Sequence, residues 1–214
     1  MKEKKNAGFT LVELLVAMLM SLILITGVGQ FMAASTNNYQ AVDKQVNLQM
    51  EAQSVINSIS DMVLEANNVA FVTASDGEKY FIIYYNLGEK SSTGGVMDKT
   101  TAKQNIIWLD SSEHKLYLFT CNSKDDYNDA MGPKANKMLF AEGVHNIQYA
   151  IATATGNTTL NAKGLDASAT QSAPMVKIDV ELWSKVTSNS KKEDGYIYKA
   201  SDAVAPRNEI VAIP

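Results

Sequence analysis

No charged residue occurs between Glu13 and Asp43, and the 21 residues from Leu14 to Ala34 are almost wholly apolar. As a helix rising 1.5 Å per residue, that run is about 30 Å long, roughly the thickness of the hydrocarbon core of a bilayer. Lys2, Lys4 and Lys5 outweigh Glu3 ahead of it. A basic head before an apolar helix stays on the cytoplasmic side and the remainder goes outside. A secretory signal peptide has the same order, but its apolar core is shorter, and only Ala33-Ala34-Ser35 offers a weak cleavage site here.

Composition removes several function classes. The 214-residue chain is 46% hydrophobic and 20% charged, an ordinary globular balance that argues against disorder of the whole. Its net charge of -4 and pI near 5.2 disfavour direct nucleic-acid binding. Arg207 is the single arginine, so bidentate clamps for phosphate or carboxylate are scarce. Cys121 is the single cysteine, which excludes an intrachain disulfide. With only His114 and His145 beside it, no usual structural zinc site is expected, and no metal, cofactor or catalytic residue is assigned.

Glu13 is the anomaly in the apolar segment. A carboxylate in the middle of a spanning helix costs about 2.5–3.5 kcal/mol, and less where it reaches the interface. Glu13 is either a tolerated terminal charge or a group that needs a cationic partner in an apolar place. The surrounding Gly8-Phe9-Thr10-Leu11-Val12-Glu13 resembles the type III signal of type IV prepilins and type II secretion pseudopilins. The resemblance implies cleavage between Gly8 and Phe9 by a membrane aspartyl prepilin peptidase, followed by N-methylation of Phe9. It also implies a filament-assembly role for Glu13 and Thr10, with Glu13 meeting the Phe9 amine of a neighbouring subunit. Within one chain, positions 9 and 13 share a helix face. An ion pair in an apolar core is a poor source of stability but a good setter of register. Many pilins carry a proline in this helix; here the segment has Gly27 and Gly29 instead. Each glycine weakens a helix by about 0.8–1.0 kcal/mol relative to Ala, which would favour local melting, although glycine also lets membrane helices pack closely.

Beyond the apolar run, Leu48, Ala52, Val55, Ile56, Ile59, Met62, Val63 and Ala66 recur every three or four residues, with Asn57, Ser58, Asp61 and Glu65 opposite. The spacing predicts an amphipathic helix ending near Asn67-Asn68. A coiled-coil arm is the competing reading, but strict heptads are not sustained. The period then changes to two. Strands are predicted at Tyr80–Tyr85, Ile106–Leu109, Lys115–Thr120, Lys137–Phe140, Val144–Ile151, Met175–Trp183 and Ile210–Ile213, the second and third forming a hairpin around Asp110–Glu113. Ser91–Lys103, Asn122–Asn136, Ala152–Pro174 and Thr187–Gly195 read as polar loops. One long N-terminal helix followed by strands predicts an α+β fold, with the mainly antiparallel head of a type IV pilin as the resemblance implies. The expected organisation is a cleaved basic leader over 1–8, a long helix over 9–66 with its membrane segment at about 14–34, and a β-rich head over 67–214.

Other motifs carry little. Gly88-Glu89-Lys90-Ser91 lacks the upstream glycine of a phosphate-binding loop. Asp125-Asp126-Tyr127-Asn128-Asp129 gathers oxygen ligands without the spacing of an EF-hand, so a solvated acidic loop is the default over a calcium site. His114 and His145 lack a Ser or Cys partner at a recognisable elbow, and Cys121 reads as a small apolar residue. Tyr39, Tyr84 and Tyr85 read as core or subunit contacts. Gln30-Phe31, the Leu48–Asp61 segment, the Val176–Trp183 strand and Arg207-Asn208 look like PilW-type minor pilins and PulJ-type pseudopilins. The resemblance implies a minor pilin, not an enzyme. It would sit in the membrane with its N-terminus cytoplasmic and its head outside, then join an extracellular pilus. Its partners would be other pilin subunits, prepilin peptidase and an inner-membrane assembly platform. A pseudopilin of a secretion or competence system is the nearer alternative, and a membrane-anchored enzyme or binding module the more distant one.

Overall fold

The structure is a computed structural model that describes residues 9–73, 78–89, 102–121, 137–153, 156–161, 163–165, 174–184, 195–211 and 213. The chain divides into two units, Met1–Lys44 and Gln45–Pro214. A single helix, α1 (Leu11–Leu64), is assigned among the described residues. From Leu11 to Ala34 every position is exposed. An 18-residue window of α1 reaches a mean hydropathy of 2.5 with none of it buried, so length and composition suit a bilayer crossing. Gly27 and Gly29 leave α1 unbroken, and nothing approaches within 4 Å of the place where a Cβ would stand on either.

In the second unit, Leu48, Ala52, Val55, Ile56, Ile59 and Val63 of α1 are buried. Their three-and-four spacing makes one stripe on the helix. It packs into a core shared by two sheets. The first sheet is a five-stranded antiparallel meander of β1 (Asn68–Thr73), β2 (Lys79–Tyr85), β3 (Lys103–Asp110), β4 (Lys115–Cys121) and β5 (Met138–Glu142), in that spatial order. The second contains β6 (Val144–Thr153), β7 (Gly156–Thr159), β8 (Met175–Ser184) and β9 (Tyr196–Val204), ordered β7-β6-β8-β9 and antiparallel throughout. The fold is therefore α+β: one long helix packed on antiparallel sheets.

The first sheet is apolar on both faces. Phe81, Ile83, Ile107 and Leu116 belong to the core with α1, while Tyr80, Ile82, Ile106, Trp108 and Phe119 form a second cluster. The register explains the division, because Tyr80 pairs with Trp108 and Trp108 with Tyr117, so the rings of one pleat row stand together. The second sheet follows the simpler rule. Along β8, Val176, Ile178, Val180 and Leu182 are buried and alternate with half-buried Lys177, Asp179 and Glu181.

Several expectations need correction. The helix ends at Leu64, and Asn68, read as part of a stop, opens β1. Ile210, Val211 and Ile213, expected to form a strand, lie outside any strand. They belong to a segment that runs back along the end of α1. Arg207 N donates to Leu64 O at 2.9 Å, and the Asn208 side-chain amide donates to Glu65 O. The last carbonyls of a helix lack intrahelical partners, and here a segment more than 140 residues away supplies them. Asn68 is fully buried and ties three segments together. Its Nδ2 donates to Leu165 O at 3.1 Å and Val211 O at 2.7 Å, while its Oδ1 accepts from Leu165 N and Val69 N, both at 2.8 Å. That bonding explains why this asparagine sits inside the fold and not in a surface turn. The strands β1, β7 and β9 were not expected. β7 lies inside a stretch read as loop, and all four of its residues are exposed.

Two tyrosines, Tyr149 buried and Tyr85 half-buried, give opposite kinds of prediction. Tyr149 stacks on Phe81 with ring centroids 3.9 Å apart, and its hydroxyl is buried without a hydrogen-bond partner among the described residues. Burial raises its pKa well above the ordinary value. An unsatisfied hydroxyl is costly, so Tyr149→Phe should stabilise the protein by about 1 kcal/mol. Urea unfolding of the full chain in detergent measures it, and a loss of stability would contradict the assignment. Tyr85 instead donates to Met62 O at 3.1 Å and accepts from the Asn105 amide at 3.3 Å. Burial pushes its pKa up to about 12, against the Asn105 bond and with help from the Glu65 charge. The folded state thus disfavours ionised Tyr85, and its contribution is complete below the ordinary tyrosine pKa of about 10. It is lost as pH climbs from about 10 through about 12. Tyr85→Phe should flatten this part of the alkaline stability profile, and an unchanged slope would refute that origin.

Candidate functional site

The N-terminal turn of α1 is the candidate site. Thr10 stands immediately before the first helical residue, Leu11, and Glu13 lies in the first turn. Thr10 N donates to Glu13 Oε2 at 2.9 Å, and the Thr10 hydroxyl donates to the same oxygen at 2.9 Å. In return Glu13 N donates to Thr10 Oγ1 at 3.3 Å. This is a capping box: side chains three positions apart satisfy each other's backbone N–H groups at a helix start. Leu14 N closes the turn on Thr10 O at 3.2 Å. The negative charge also lies at the positive end of the helix dipole.

The sequence reading missed this local role. The signal was present, because Thr10-Leu11-Val12-Glu13 ahead of an apolar run has the spacing of a capping box. A lone carboxylate in an apolar stretch points to a cation, whereas the donors that hold Glu13 here lie three residues upstream. The structure brings Glu13 and Thr10 together and leaves the Phe9 side chain 88% exposed. Gly8, the expected residue before the cleavage point, lies outside the described residues.

Residues 4–29 match the family description "Prokaryotic N-terminal methylation motif". The chain carries an N-terminal methylation motif. This motif covers Phe9, Thr10 and Glu13 and most of the exposed apolar stretch of α1. It supports the broad type IV pilin and pseudopilin family, and the long apolar helix fits the membrane-anchored protein that such a motif implies. No curated protein and no solved structure was found similar to the chain.

The other candidates, Tyr39 excepted, lie in the second unit. His114 closes the β3–β4 turn with φ of 57°, a conformation that His tolerates better than most residues. Its ring lies 5.6 Å from that of His145 and edge-on to Trp183 at 5.7 Å. Cys121 is buried beside Phe119 in the second cluster. Gly88 and Glu89 belong to the turn after β2, where Glu89 N donates to Asn86 O at 3.3 Å; Lys90 and Ser91 lie outside the described residues. So does the acidic stretch Asp125–Asp129 considered for calcium. Among the described residues no group of three or more His, Cys, Asp or Glu side chains is placed to hold a metal ion. Tyr84 is buried, Tyr85 half-buried and Tyr39 exposed.

Proposed function

We propose that this protein is a minor pilin of a type IV pilus. Prepilin peptidase cuts between Gly8 and Phe9 and methylates the new Phe9 amine. Before assembly the protein waits in the membrane, N-terminus cytoplasmic and head outside; afterwards it belongs to an extracellular filament with other pilins, gathered by an inner-membrane assembly platform. Its work is associative, and it is the substrate of an enzyme and not itself one. The observation that carries this reading is the acidic capping box at the start of an exposed apolar helix, within the methylation motif.

The chemistry follows from that placement. Cleavage would turn Phe9 into a cationic terminus one helical turn from Glu13. The capping bonds from Thr10 all go to Glu13 Oε2 and hold the carboxylate in one orientation, which lowers the ordering cost of meeting an amine on a neighbouring chain. The pairing would set the stagger between adjacent helices more than it adds stability. Shearing filaments from cells and probing the fraction with an antibody to the head tests the assignment. A minor pilin co-sediments with the filaments. Retention in the membrane fraction, with exported proteins failing to leave the cell when the gene is deleted, would instead support a secretion pseudopilin.

A further inference from the structure

A cleft of about 670 Å³ opens between the two sheets of the Gln45–Pro214 unit. Its two walls differ in kind. The first sheet contributes Phe71, Lys79, Phe81, Ile107 and Leu109, alternate residues that mark the face of a sheet. The second contributes the consecutive runs Asn146–Ala150 of β6 and Asn157–Thr159 of β7, together with Asp179 of β8. Consecutive residues line a cavity only when the strand presents its edge, with both side-chain rows and the backbone between them. The pairing agrees. β7 covers β6 only from Ala150 to Thr153, so among the described residues no strand pairs with Asn146–Tyr149 on the side away from β8. In an antiparallel ladder every second residue aims its N–H and C=O at that open side. Tyr149 lines the same cleft, 7% exposed, with its hydroxyl lacking a hydrogen-bond partner among the described residues.

We propose that this cleft binds an extended peptide segment of a partner polypeptide, which pairs with β6 along Asn146–Tyr149 in line with β7. Four residues of open edge span about 13 Å, so the segment is four to five residues long. Its inward row meets Phe71, Ile107 and Leu109 and is mainly apolar, with Glu78 and Lys79 also lining the cleft; its outward row lies beside Asn146, Gln148 and Asp179 and is polar. Its backbone bonds to the β6 edge. An unpaired edge is ordinarily a hazard that proteins cover, and strand addition is the recognition mode such an edge supports. The inference stands apart from the filament reading, since no residue of the methylation motif takes part.

The test uses the full chain in detergent and a fluorescein-labelled library of pentapeptides alternating Val, Ile, Leu or Phe with Ser or Thr, beside the same library with N-methylated backbone amides. The unmodified library should raise fluorescence anisotropy to saturation and slow hydrogen exchange at Asn146–Tyr149. N-methylation should weaken binding about tenfold or more, because the main-chain bonds are lost. His114→Gln, outside the cleft, should leave binding unchanged. The proposal is overturned by absence of saturation at about 1 mM, by equal binding of the methylated library, or by protection that falls elsewhere. Saturable binding of maltotriose in place of the peptides would also overturn it, showing a saccharide site.

Discussion

Replacing Glu13 by valine should abolish incorporation into filaments while leaving the protein in the membrane and its leader removed. Two contributions are lost together. The cap that Glu13 makes with Thr10 is worth about 1 kcal/mol at the helix start. The proposed pairing with a neighbouring Phe9 amine is larger, because removing one partner of a buried ion pair costs about 3–5 kcal/mol, a loss of more than a hundredfold in association. Glu13→Gln separates them. Glutamine serves at the third position of a capping box, so the helix start survives while the charge is gone. Quantitative immunoblots of sheared filaments should show Glu13→Gln nearly as defective as Glu13→Val. Wild-type incorporation of the Gln variant would show that Glu13 works as a cap alone, and the intermolecular pairing would be wrong.

The second large effect is expected at Asn68. Asn68→Ala removes two donors and an acceptor from a fully buried position and leaves Leu165 O, Leu165 N and Val211 O without that partner. Each unsatisfied buried group costs about 1–3 kcal/mol, so a net loss of about 3 kcal/mol is expected. Urea unfolding followed by the fluorescence of Trp108 and Trp183 measures it. Asn68→Asp should be at least as damaging, since it removes the Nδ2 donor and buries a charge among carbonyls. A loss below about 0.5 kcal/mol for both variants would show that the segments around Leu165 and Val211 dock without Asn68.

The legible parts of the fold were those in which periodicity and burial coincide. The α1 stripe from Leu48 to Val63 and the alternation of β8 are cases where one face meets a core, and the pattern states which face. β9 was hidden because Tyr196-Ile-Tyr-Lys-Ala-Ser-Asp-Ala-Val204 has weak alternation and lies at the sheet's edge, where partner bonding and not side-chain hydrophobicity makes the strand. β7 is wholly exposed and carried no apolar signal at all. Ile210–Ile213 misled for the opposite reason. Its apolar run resembles a strand, yet Val211 exchanges bonds with Asn67 and Asn68, contacts that depend on residues some 140 positions away. Local pattern does not encode such long-range bonds.

The candidate site was legible to a different degree. Glu13 stands out because a carboxylate in an apolar stretch is anomalous whatever surrounds it, whereas Gly8 and Phe9 are marked only by the resemblance. Thr10 entered only through the resemblance, with an assembly role; its capping of the helix start is visible only once its bonds to Glu13 are. Asn68 was read only as a helix stop, because asparagine is as common in turns as it is rare in strands; its four hydrogen bonds are a property of the assembled fold.

Intact-mass and N-terminal peptide mass spectrometry of the protein from its native membrane bears most directly on the account. The polypeptide should begin at Phe9, with Met1–Gly8 gone and the Phe9 amine carrying a methyl group. A chain that still begins at Met1, or that is cut after Ala33 or Ala34, would contradict it.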